Sequence, residues 1–272
     1  MKKLNLGIIV ASALAIGLSA FAGTAMAGKK KGWGKYQVED RRSGYTYATK
    51  ETQAIQDNDL GNPALLWLDE GEALWSKKDG KAGKSCASCH GAAADSMKSV
   101  GTSWPKYSKK LGKMQSLEQR INQCRTENMK AKPFKKFDSK EMLGTVIYVR
   151  NQSAGLPMNV SIDGPVIPFF EKGKKFFYQR RGQLDMSCAH CHEDNAGNKI
   201  RANLLSEGQS NGFPTYRLKW QKPGSIHRRF KGCNKQVRAK PFKVGSDEYN
   251  NLELFVAWRG RGLPVETPAV RN

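Results

Sequence analysis

Apolar residues in this chain recur at intervals of three and four, the period of a helix with one buried face. EGEALWSK (70–77) and EKGKKFFYQ (171–179) each put a glycine and bulky apolar side chains on one face, as where an amino-terminal helix crosses a partner. SKEMLGTVIYVRNQ (139–152) and SDEYNNLELFVAWRG (246–260) supply the crossing partners. In SLEQRINQC (116–124), Leu117 and Ile121 precede Cys124 by seven and three residues, and Ile226 and Phe230 precede Cys233 identically. Both cysteines therefore fall on apolar helix faces and point inward. Ser116 with Gln119 predicts a capping box at the first of these helices. No alternating run is long enough to predict a sheet, so the fold class is mainly α.

These elements come in the same order twice. Trp104-Pro105-Lys106-Tyr107 is matched by Phe213-Pro214-Thr215-Tyr216, and seventeen residues after each tyrosine stands Cys124 or Cys233. Ala-Lys-Pro-Phe follows at 131–134 and 239–242, and Gly-Leu-Pro at 155–157 and 262–264. The pattern predicts a tandem duplication over residues 61–160 and 161–272. Before it, residues 28–60 read as an extended polar arm. Residues 1–27 carry two lysines, an apolar run and Ala-Met-Ala, the pattern of a cleavable secretory signal rather than a membrane anchor.

Export changes how the charge and the cysteines are read. A formal charge of +22 suggests nucleic acid in a cytosolic chain, but acidic proteins or small anions in an exported one. Six cysteines outside the cytosol ordinarily suggest disulfides. Four of them instead form Cys86-Ala-Ser-Cys89-His90 and Cys188-Ala-His-Cys191-His192. Both are the attachment motif of c-type haem: two thiols form thioethers, and the adjoining histidine, His90 or His192, sits under the iron. Zinc competes for such cysteines, but no second pair is spaced as in a finger or ribbon. The expected cofactors are two covalently bound haem c groups in two cytochrome c-like domains.

For the sixth ligand, Met158 in Gly-Leu-Pro-Met is an option, yet its repeat counterpart is Val265, which cannot ligate. Cys124 and Cys233 occur in both halves and are favoured; a disulfide between them is the alternative. The second cysteine differs in having Gly232 before it, where the first has Gln123, and a basic run of His227, Arg228, Arg229, Lys231, Lys235 and Arg238. That combination favours an accessible thiolate beside a small anion.

The two haem motifs, RRSGYTYATKETQAIQDNDLGNPALLWLDEGEALW and RRFKGCNKQVRAKPF resemble the SoxA family, dihaem subunits of the SoxAX cytochromes of bacterial thiosulfate oxidation. The resemblance implies a periplasmic L-cysteine S-thiosulfotransferase without a membrane anchor or nucleic-acid partner. Such a subunit pairs with monohaem SoxX and couples thiosulfate to a cysteine of the SoxYZ carrier. Two electrons pass to haem and then to a soluble cytochrome c acceptor. It also implies that Cys233 is the haem-ligating active cysteine, able to carry a persulfide. Arg229 is then the substrate-binding arginine and Cys124 the sixth ligand of the first haem. The competing readings are a thiosulfate dehydrogenase forming tetrathionate, a pure electron-transfer dihaem cytochrome, and a dihaem peroxidase.

Overall fold

Ten helices and a few strands of two or three residues make up the computed structural model, which describes residues 32–272. The proposed signal segment lies outside the described residues. Residues 33–57 are not the extended arm their polarity suggested. They hold short turns and helix α1 (Lys50–Asp57), and Ser43, Thr52 and Gln53 are buried. The physical reason is that their polar groups are consumed by hydrogen bonds. Tyr47 donates to Glu207 (2.7 Å), Thr52 to Asn272 (2.6 Å), and Ser43 to Glu266.

The first repeat runs through α2 (Leu65–Ser76), α3 (Ala87–His90), α4 (Ala93–Ser96), α5 (Leu117–Glu127) and α6 (Lys140–Asn151). The second runs through α7 (Ile167–Tyr178), α8 (Cys188–His192), α9 (Ile226–Gln236) and α10 (Asp247–Arg259). In each, the first and last helices cross at a glycine. A Cβ on Gly71 would lie 2.2 Å from the Gly144 carbonyl oxygen, and one on Gly173 2.0 Å from that of Asn251. Side-chain-free positions let the backbones touch and leave the haem motif at one end of the crossing. Ser116 and Gln119 form the expected capping box, with Gln119 N donating to Ser116 Oγ and Ser116 N to Gln119 Oε1.

Between the motif helix and the cysteine helix stands an antiparallel hairpin, Lys106–Ser108 with Lys113–Gln115 and then Thr215–Arg217 with Lys222–Gly224. The second hairpin gains a parallel strand, Ala269–Arg271. Strands of three residues are too short to show alternation, which is why no periodicity announced them.

Residues 33–272 form one unit, and its halves are joined along the two Gly-Leu-Pro segments. Gly155 N donates to Val265 O (2.9 Å) and Gly262 N to Met158 O (2.9 Å); Met158 N donates to Leu263 O (2.8 Å) and Val265 N to Leu156 O (2.9 Å). Each bond becomes its partner when the repeats are exchanged. Beside this seam lies a buried set of polar side chains: Glu118 on α5, Arg150 on α6, His227 on α9 and Glu253 on α10. His227 Nε2 meets Glu253 Oε2 at 3.0 Å, and Gly245 N donates to His227 Nδ1. Burial, reinforced by the charge of Glu253, pushes the Glu118 carboxyl up from its ordinary 4.5 to about 7.

A raised carboxyl pKa means the folded chain holds the proton more tightly than the unfolded one. Its stabilising contribution is complete below pH about 4.5 and is lost as pH rises through about 7. Glu118→Gln cannot ionise and is expected to flatten the fall in stability between pH 5 and 8. Urea titrations of both proteins at the two pH values check this; an unaltered pH slope would refute it.

Candidate haem and anion site

Each haem motif sits on one short turn of helix, α3 or α8. A single turn brings two thiols three residues apart to one side, with the histidine next to the second. Ser187 caps α8, accepting from His190 N, while the His190 ring returns to Ser187. Gly91, at a φ of +64°, turns the chain out of α3, and its carbonyl accepts from Trp75 Nε1 at 3.0 Å. The Trp75 ring lies against His90, with centroids 5.9 Å apart.

His192 is oriented more tightly. Its Nδ1 is 2.7 Å from the Ser206 carbonyl oxygen, to which it donates, and this bond fixes the direction of the ring. Gly208, at a φ of +80°, backs the ring; a Cβ there would come within 2.8 Å of His192 Cγ. On the far side of the ring comes Cys233 from α9. The thiol interacts with His192 as well as with Cys188 and Cys191. In the first half Cys124 lies near Cys86. All six cysteines are free thiols, and Cys124 and Cys233 each face the motif of their own half. That placement disfavours the disulfide alternative. It fits a covalently attached c-type haem held between histidine and cysteine.

Met158 has a different position. Its side chain is 2% exposed in the shared core, its backbone belongs to the seam, and its sulfur accepts from Arg150 at 3.7 Å. It is a packing residue, as its counterpart Val265 is.

Electrostatics separate the cysteines of the second half. Burial pushes the Cys188 thiol up to about 12, aided by Cys233. For Cys233, burial acts in the same direction but is outweighed by Arg229, His192 and Arg217, and the thiol falls to about 7. The two thiols of one crevice are thus shifted in opposite directions, Cys188 by burial and Cys233 by the neighbouring cations.

Of the basic run around Cys233, only part reaches the thiol. Arg229 does. His227 is fully buried against Glu253 and stacks on Phe137, with centroids 4.9 Å apart, and Arg228 lies over Trp220 at 4.2 Å. Arg217, on the hairpin strand, was not singled out by the sequence, although the repeat offered a signal: its first-half counterpart is Ser108. The space beside Gly232 is open, since a Cβ there would meet nothing within 4 Å.

With this geometry, comparison with known proteins is specific. A model of the "SoxA/TsdA, cytochrome c domain" family matches residues 70–158 and again 172–265, so covalent haem c is the cofactor class of this chain. Curated relatives include L-cysteine S-thiosulfotransferase subunit SoxA of Rhodovulum sulfidophilum, 45% identical over 87% of this chain and 82% of the relative. The same subunit of Pseudaminobacter salicylatoxidans is 45% identical over 87% and 83%. A chain in the crystal structure of SoxXA from P. pantotrophus superposes with a TM-score of 0.82 at 44% identity, over 85% of this chain and 87% of that one. The chain belongs to the SoxA family of c-type cytochromes.

Proposed function

We propose that this chain is a tandem-duplicated dihaem cytochrome that joins thiosulfate to a carrier cysteine, as an L-cysteine S-thiosulfotransferase. The observation that carries the reading is the convergence of Cys233, His192 and Arg229 beside the open space at Gly232. Cys86, Cys89, His90 and Cys124 would hold one haem, and Cys188, Cys191, His192 and Cys233 the other. When bound, the haems supply the electron sink that the reaction needs.

The overall change balances as a carrier thiolate plus thiosulfate giving a cysteine S-thiosulfonate and two electrons: one sulfur–sulfur bond forms and none breaks. The chain's own residues bring two anions together. Arg229 neutralises the oxyanion, the charge of which would otherwise repel the incoming thiolate. Gly232 leaves room for the carrier's cysteine to approach Cys233, and His192, fixed by Ser206, keeps that sulfur in place. If Cys233 carries an extra sulfur, the same groups stabilise the anionic intermediate.

The proposed surroundings follow from the same reading. They are the periplasm, a monohaem SoxX subunit, a SoxYZ carrier and a soluble cytochrome c acceptor, with no nucleic acid or membrane anchor. A SoxXA complex among the structural relatives supports the first partner. No described helix is long and apolar enough to cross a membrane.

The test is the mass of the Cys233 peptide, taken without reductant from holoprotein exposed to thiosulfate and an electron acceptor. Added sulfur is the expected result. A persistently bare thiol, with electrons still passing through the protein, would instead favour a pure relay.

A further inference from the structure

The repeat supplies an internal control for the anion site. Arg120 occupies in α5 the position that Arg229 occupies in α9, four residues before the cysteine. Arg120, however, is already engaged: its Nη1 donates to Gln123 Oε1 at 3.1 Å. Gln123 is held in turn by Gln115 (3.0 Å) and by Glu127 (3.2 Å). In the second half all three quenching residues are replaced. Gly232 stands for Gln123, Gly224 for Gln115, and Gln236 for Glu127.

The same exchange adds a cation. Arg217 replaces Ser108 at the end of the hairpin strand and lies close enough to Arg229 and Cys233 for their charges to act on it. Its guanidinium packs over Trp220 at 5.3 Å, which fixes its direction. Its Nε is buried with no hydrogen-bond partner. The arginine ion pairs of the described residues use Arg41, Arg42, Arg125, Arg180, Arg259 and Arg271, so neither Arg217 nor Arg229 has a carboxylate.

Two adjacent, half-buried guanidiniums with no carboxylate, sharing at most the single charge of the Cys233 sulfur, are costly unless a further anion completes them. We infer that Arg217 is a second substrate-binding residue. Arg217 and Arg229 form a clamp for the sulfonate end of a doubly charged sulfur oxyanion, directing its terminal sulfur at Cys233. Planar guanidiniums suit this task because each offers parallel N–H donors to paired oxygens. The first half, with Ser108 and a satisfied Arg120, has no such clamp. This inference deepens the proposed function and takes thiosulfate as the anion from it.

The experiment uses holoprotein with its partner subunit, and reads thiosulfate KM and kcat in carrier-dependent turnover alongside equilibrium binding of sulfate. Arg217→Gln is expected to raise the thiosulfate KM by about ten- to a hundredfold, the loss of a charge-assisted hydrogen bond. The kcat should change far less, the haem content should hold, and sulfate binding should weaken in parallel. Arg217→Lys, which keeps charge but not the fork, should fall between. Should Arg217→Gln fail to take up haem, Arg217→Lys and Gly232→Gln decide. Gly232→Gln gives Arg229 the amide that satisfies Arg120, and should also weaken sulfate binding. Thiosulfate KM and sulfate affinity unchanged in the Arg217 variants would overturn the clamp. If the unaltered protein binds sulfate through Arg217 but does not turn over thiosulfate, the clamp stands and the proposed function falls.

Discussion

Cys233→Ala is expected to lower thiosulfate coupling by roughly a thousandfold or more while both haems stay attached. The thiols proposed for attachment are elsewhere, at Cys86, Cys89, Cys188 and Cys191, so the substitution removes the Cys233 sulfur and spares the residues that would hold the cofactor covalently. The magnitude follows from what is lost. Without the sulfur, the anion bound at Arg229 and the incoming carrier thiolate lose the group at which they meet, and positioning alone gives a small residue of activity. Cys124→Ala is the matched control: its thiol faces Cys86, not the anion site, and coupling should survive it. Haem content by pyridine haemochrome, together with carrier-dependent cytochrome reduction, reads both variants. Coupling retained in Cys233→Ala would overturn the assignment of that residue.

The largest effect on stability is expected at a helix crossing. Gly173→Ala places a methyl group 2.0 Å from the Asn251 carbonyl oxygen and 3.1 Å from Phe255 Cβ. The obstacle is backbone, which cannot rotate away as a side chain does, so α7 and α10 must separate. A cost of about 3 kcal/mol or more is expected, at the upper end for overpacking. Guanidinium unfolding followed by far-UV circular dichroism measures it. A midpoint unchanged from that of the parent would show that the crossing can yield.

These two residues also show what was legible in the sequence. Gly173 and Cys233 were found because each has a counterpart at the same offset in the other half, and two occurrences reveal position as well as identity. The helix faces, caps and haem motifs were visible for the same reason. Arg217 was not: it lies on a strand of three residues, where no periodicity develops, and its partners come from α9, over ten residues away. The burial of Ser43, Thr52 and Gln53 was hidden differently. Serine, threonine and glutamine look solvent-seeking until Glu207, Glu266 and Asn272 are placed beside them. The basic run was over-read, because a list of charges does not say which face of the helix each occupies. His227 turned inward to Glu253, whereas the charge of Arg229 acts on the thiol.

The seam between the Gly-Leu-Pro segments has a consequence for how the two sites came to differ. Its four backbone bonds interchange under exchange of the halves, which is the signature of an isologous contact, the kind a symmetric homodimer makes with itself. In such a dimer any substitution appears on both sides at once. A guanidinium clamp gained at one cysteine would be gained at the other, and a glutamate placed at the axis would face its own copy. Covalent fusion removes that constraint. Position 118 is glutamate while its counterpart, 227, is histidine; position 108 is serine while 217 is arginine. The seam therefore has the geometry of a self-pairing contact, and carrying both halves on one chain lets the surroundings of Cys233 differ from those of Cys124.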